Sequence, residues 1–151
     1  MPVIVIGADT RLGEAVIDAL TGRDGEVRAF VSDPEAARTL KARGIKTALG
    51  DISDGSHVGG AACNCFGAVL IGQAAIDDRE RSFAEDPGAV VEAWAEGLAD
   101  AGVHRAIWVV SDPRVVPETA HAAEVAVVDA TASPGTVAAE VRRLDDAASL
   151  A

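Results

Sequence analysis

The chain has no tyrosine, so no phenol is available to give or take a proton. Its only lysines are Lys41 and Lys46, and its only cysteines lie in Cys63-Asn64-Cys65. Two cysteines that close do not form an ordinary structural staple. With His57 they offer at most three zinc ligands, and Cys-x-Cys lacks the usual spacer of about two to four residues. It is not a Cys-x-x-Cys redox pair either. We expect no metal site and no catalytic thiol, and read the thiols as small residues at a helix–strand junction. Long hydrophobic runs are also missing. The longest, at 2–6, 67–71 and 106–110, fall far short of the roughly 20 residues of a membrane span. The first has no basic region before it and leads directly into a glycine turn, which is not a secretory leader pattern. The cytoplasm is the expected location. An excess of positive charge is absent: the net charge is −11. That argues against nucleic acid or an anionic membrane as partner, since both are polyanions. The acids are scattered, so a general acidic composition explains them as well as any role in function.

What is present is small and aliphatic. Half of the residues are hydrophobic, and glycine is frequent at 15 residues. The 151 residues suit one domain over 1–151. Val3–Ile6 is an apolar, β-branched run that reads as a buried parallel strand. Leu12–Leu20 follows at helical spacing. A second strand is expected at Glu26–Val31. A helix opens at Asp33-Pro34 and stops before Gly44, because Asp caps and Pro suits the first helical position. Ile45–Leu49 and Phe66–Ile71 read as strands. The helix between them, Ser53–Ala62, is weakened by Gly55, Gly59 and Gly60. Residues 73–86 read as a long polar, mobile connection. Pro87–Ala101 is a strong helix, His104–Val110 a fifth strand, Glu124–Val128 a sixth and Pro134–Leu150 a closing helix. Strands alternating with helices predict a doubly wound parallel sheet of the Rossmann type, α/β in class, three layers thick, with strand order 3-2-1-4-5-6. Its ligand crevice lies beyond the carboxyl ends of strands 1 and 4.

The first turn reads Gly7-Ala8-Asp9-Thr10-Arg11-Leu12-Gly13. Gly7 ends the strand where a tight turn needs unusual angles, and Gly13 lets the helix sit close to the sheet. Free amides at a helix start can receive a pyrophosphate. From this loop, through 26–34, 49–52, 68–71 and 101–111, the chain resembles the atypical short-chain dehydrogenases/reductases, the NmrA-like and epimerase-like NAD(P)-binding group. The resemblance implies a bound NAD or NADP touching 7–13, Ser32, Asp33, Asp51, Ile52, Gly72, Gln73 and Ser111. Asp33 is expected as helix cap or ribose ligand, and Asp51 as cap of the next helix or adenine contact. Arg11 is read as a phosphate cation or a solvated first-turn residue. Gln73 reads equally as a plain loop residue, and Ser111, a lone serine without a proton partner, reads as a loop hydroxyl before a catalytic one.

Three departures from the family pattern matter. Thr10 replaces the middle glycine, narrowing the approach to the pyrophosphate while offering a hydroxyl to a phosphate oxygen. Ser32 stands where NADP-using relatives often carry Arg, so NAD is favoured. The Tyr-x-x-x-Lys pair is missing, and the residues after strand 5 leave little for a substrate lobe, so no catalytic residue is assigned. His104 and His121 have no partner at a meaningful spacing, and Trp94 and Trp108 read as packing. A receiver domain would fit Asp51, but the paired acids after strand 1 are replaced by the glycine turn. Three readings stay open: a dinucleotide-binding or redox-sensing protein with a regulatory partner, a small oxidoreductase or epimerase-like enzyme, and a scaffold that binds no nucleotide. The apolar residues of helix 87–101 raise the further expectation of a homodimer.

Overall fold

The computed structural model describes residues 1–117 and 122–150; His121 lies outside them. Six strands, β1 (Val3–Ile6), β2 (Val27–Val31), β3 (Lys46–Leu49), β4 (Gly67–Ile71), β5 (Arg105–Val110) and β6 (Glu124–Asp129), form one sheet in the order β3-β2-β1-β4-β5-β6. Every pairing is parallel. The doubly wound order read from the alternation of elements is the order observed.

Among the described residues, four α-helices connect the first five strands, α1 (Arg11–Leu20), α2 (Pro34–Ala42), α3 (Gly55–Ala61) and α4 (Pro87–Ala101), and a fifth, α5 (Pro134–Asp146), follows β6. Each starts on a side-chain cap, from Thr10, Asp33, Asp54, Asp86 and Ser133 in turn. Such a cap contributes about 1 kcal/mol by satisfying an orphan amide of the first turn. α2, α4 and α5 add Pro in the first turn, where the missing N–H is not needed. The closing helix stops at Asp146, short of Leu150.

Alternate strand residues point to opposite faces, which divides the core in two. Val3, Val5, Val31, Val69, Ile71, Ile107 and Val109 pack on α1, α2 and α5 through Val16, Ile17, Leu20, Leu40, Val137 and Val141. Ile4, Ile6, Phe30, Leu70, Trp108 and Val110 pack on α3 and α4 through Val58, Val90, Trp94 and Leu98. The apolar residues Val90, Val91, Trp94 and Leu98 of α4 are therefore turned into the chain's own core.

The glycines of α3 have a packing reason. A Cβ on Gly59 would lie 2.7 Å from the Gly97 carbonyl oxygen, and one on Gly97 would lie 2.3 Å from that of Gly55. α3 and α4 thus meet backbone to backbone, and this contact offsets the weak helix propensity. At the amino ends of the strands, the buried Arg105 donates to the carbonyls of Leu144 and Ala147 and pairs with Glu124. It ties the end of α5 back to β5.

Candidate dinucleotide crevice

The crevice opens where β1 and β4 diverge. Gly7 has φ +85°, and a Cβ there would lie 2.8 Å from that of Ala74, so both turn and neighbour require glycine. A Cβ on Gly13 would lie 2.2 Å from the Gly7 oxygen. Thr10 is folded into the same turn. Its hydroxyl donates to the Gly7 oxygen at 2.8 Å and accepts from the Gly13 amide at 2.9 Å, and the residue is 5% exposed. The hydroxyl expected to meet a phosphate oxygen is engaged here as the cap of α1. The same burial keeps the side chain out of the approach to α1. The first-turn amides of Arg11 and Leu12, which have no intrahelical acceptor by position, remain as the phosphate donors the turn can offer.

On the β4–β5–β6 side of this turn lies a cleft of about 470 Å³. Leu12, Ile76, Val110, Val115, Ala130, Ala132 and Pro134 make it mainly apolar, and Arg11, Gln73, Ser111 and Thr131 add a few polar groups. Gly72 and Gln73 begin a 3-10 turn, Gly72–Ala75, directly after β4. Gly72 approaches β5 closely, since a Cβ there would meet Val110 Cγ1 at 2.9 Å. Arg11, Leu12, Gly72, Gln73 and Ser111, spread over the sequence, are thus brought to one wall.

The β2–β3 side is built differently. A cleft of about 550 Å³ is lined by Asp9, Ser32, Asp33, Pro34, Gly50 and Asp51 on one part and by Asp77–Glu80 and Ser82 on the other. Asp9 Oδ2 accepts from the amides of Ser32 (2.9 Å) and Asp33 (3.2 Å), while Asp9 Oδ1 accepts from Arg79 at 2.9 Å. Asp77 binds both Arg79 and Arg81 at 2.8 Å. Arg81 also donates to the Ala74 and Asp77 carbonyls. Further on, the Ser82 amide donates to Asp51 Oδ2 at 2.8 Å and the Phe83 amide to Ser53 Oγ at 3.0 Å. Residues 77–83 are therefore a strap fastened across the ends of β1, β2 and β3. The connection expected to be long and mobile is thus bonded to the rest of the chain over 77–83.

The electrostatics follow from this bonding. Burial works against ionisation of Asp77, but the hydrogen bonds and charge of Arg79, with the charge of Arg81, outweigh it and hold its pKa below the usual carboxylate value. Burial likewise raises that of Asp51, but the bonds from Ser53 and Ser82 prevail and lower it. Arg79 is partly desolvated, yet its carboxylate partners raise its pKa.

Other expected contacts fall as follows. Asp33 caps α2, accepting from the Glu35 amide at 3.2 Å, while also lining the polar cleft. Asp51 does not cap α3, because the helix begins two residues later than expected and Asp54 takes that role. Asp51 instead closes a local turn on Ser53. Ile52 is fully buried, and its carbonyl accepts from Trp94 Nε1 at 2.7 Å. Ala8 is buried in the core beneath the turn. His104 sits at the opposite end of β5, stacked on Phe66 and 3.1 Å from Glu124. Cys63 and Cys65 precede β4 at that same end, joined through Asn64 at φ +67°. The sequence reading missed Arg79, Asp77, Ser82 and Ser53. Their only signal is the alternating charge of Asp77-Asp78-Arg79-Glu80-Arg81 beside a crevice-forming strand end.

Strand order, glycine turn and crevice define a doubly wound, Rossmann-type α/β protein. No family model and no curated protein matches the sequence. Solved structures do. ChuY, an anaerobillin reductase from Escherichia coli O157:H7, superposes with a TM-score of 0.72 at 17% identity, covering 99% of this chain and 93% of that one. The triphenylmethane reductase of Citrobacter sp., complexed with NADP(H), gives 0.61 at 18% identity, over 95% of this chain and 46% of that one. An NADPH-dependent quinone oxidoreductase from Escherichia coli, complexed with NADPH, gives 0.57 at 23% identity, over 71% and 36%. The chain thus spans nearly the whole of the first and less than half of the other two. At these identities the shared property is the fold. Among the described residues, no helix is long and apolar enough to cross a membrane.

Proposed function

We propose that this chain binds a nicotinamide dinucleotide, with its pyrophosphate at the start of α1, its adenosine toward Asp51 and Asp33, and its nicotinamide in the apolar cleft. The observation that carries this reading is the apolar cleft itself. It lies at the point where the strand order reverses, and its wall joins the first residues of α1 to Gly72, Gln73 and Ser111. The residues fit the group: the turn closes on itself without occupying the approach to α1, and a second cleft lies on the adenosine side. When bound, a nicotinamide supplies hydride chemistry. The chain's own part would be to orient it, with Gly72 and Gln73 bordering the nicotinamide half and Arg11 the phosphates.

The missing tyrosine and the remote lysines favour a binding or redox-sensing role. A second reading, a small reductase, is supported by the 93% coverage of a reductase with no added lobe. In that reading Ser111 or water in the open cleft would deliver the proton, and the substrate would be apolar.

Calorimetric titration and thermal unfolding with NAD⁺, NADH, NADP⁺ and NADPH test the proposal. A ligand at 100 times its dissociation constant adds about 2.7 kcal/mol to stability. Silence with all four at millimolar concentration would remove both readings and leave the scaffold. Given binding, oxidation of NADH on adding a conjugated apolar acceptor would select the enzyme over the sensor.

A further inference from the structure

The end of β2 contains a complete anion site, and the chain fills it with its own carboxylate. The amides of Ser32 and Asp33 converge on Asp9 Oδ2 at 2.9 and 3.2 Å. The Arg79 guanidinium closes on Asp9 Oδ1 at 2.9 Å and stands 3.5 Å from Ser32 Oγ. The side chains of Asp9 and Arg79 are 5% and 12% exposed. Two convergent amides and a guanidinium are the donors that a phosphate monoester requires. In doubly wound folds this strand end is also where a 2′-phosphate would be accommodated by a nearby arginine.

We propose that Asp9 is a tethered anion that keeps a 2′-phosphate out of this site and so sets a preference for NAD over NADP. The inference rests on the dinucleotide reading above. Asp9 competes intramolecularly, at an effective concentration in the millimolar range or higher. An incoming phosphate must displace it and then meet Asp33, Asp51, Asp77, Asp78 and Glu80, which line the same cleft. A ribose with two free hydroxyls demands no such exchange. Arg79, missing from the end of β2 in the sequence, arrives from the strap and is held neutralised between Asp9 and Asp77.

The test is calorimetric affinity for NAD⁺, NADP⁺ and 2′,5′-ADP in the unaltered chain, Asp9→Ala, Asp9→Asn and the double variant Asp9→Ala/Arg79→Ala. The unaltered chain should bind NAD⁺ at least about tenfold more tightly than NADP⁺. Asp9→Ala should shift the NAD⁺/NADP⁺ affinity ratio toward NADP⁺ by about tenfold or more, with 2′,5′-ADP tightening in parallel. Asp9→Asn keeps an acceptor for the two amides, so it guards against simple loss of folding, and it should fall between the two. Removing Arg79 from the Asp9→Ala chain should abolish the gain. An unchanged NAD⁺/NADP⁺ ratio in both single variants, or tighter binding of NADP⁺ by the unaltered chain, overturns the inference while leaving dinucleotide binding intact. Failure of every dinucleotide with every variant overturns the underlying reading and this inference together.

Discussion

The two halves of the crevice are built on different principles. The apolar half is made by where strands end: Val110, Ser111, Ala130 and Gly72 follow directly from β4, β5 and β6, and nothing else is needed to place them. The polar half is made by long-range pairing. Asp9 and Arg79 are 70 positions apart, and Ser82 reaches back 31 positions to Asp51. One half is a consequence of topology, while the other is a set of charge-assisted bonds that must all be satisfied together. It follows that the apolar half should tolerate substitution structurally while losing ligand, and that the polar half should lose structure first.

The strongest break in that contrast comes from Arg79→Ala. It leaves Asp9 a buried carboxylate without its cation and frees the strap, so a loss of about 2–3 kcal/mol is expected in denaturant unfolding. A change below about 0.5 kcal/mol would mean that the polar half is not held by its ion pairs. Ile76→Asp probes the other half. Ile76 is 63% exposed at the rim of the apolar cleft, so stability should move by less than about 0.5 kcal/mol. The new carboxylate would put a charge at the rim of the cleft proposed for the nicotinamide, and dinucleotide affinity should fall by about tenfold. Unaltered affinity would place the ligand elsewhere.

Acidification gives the smallest effect and the same contrast. Asp77 and Asp51 have lowered pKa values in the folded chain. Their contribution is complete above the unfolded value near 4 and is lost as pH falls through the folded values. Hydrogen exchange at pH 3 should show the Ser82 and Phe83 amides opening before those of Val109 and Val110. Equal protection in both segments would contradict the separation of the halves.

These principles also decide what the sequence disclosed. Strand order, the cap at Asp33, the turn at Gly7 and Gly13, and the positions of Gly72 and Ser111 just after β4 and β5 depend on local pattern and on topology, and each was legible. Asp9 was legible as a loop residue but not as the partner of Arg79, because no local rule joins position 9 to position 79. Thr10 was misread for a related reason. Replacing glycine at a phosphate turn looks like obstruction until the hydroxyl is seen bonded to Gly7 and Gly13 within the turn itself. Of the two readings left open for Asp51, the cap falls to Asp54 instead, because the two acids offer the same signal and only the fold selects between them.

The hydrogen bond from Trp94 to the Ile52 carbonyl has an optical consequence. With no tyrosine in the chain, near-ultraviolet emission arises from two indoles alone. Their rings lie 6.5 Å apart between centroids, close enough to exchange excitation, and both are buried. One is bonded to the residue that follows Asp51, and Asp51 is the residue the strap holds through Ser82. Loosening the strap would alter the polarity sensed at that single carbonyl. A change in the Asp51 segment should therefore be readable in the emission of this indole pair, without any label.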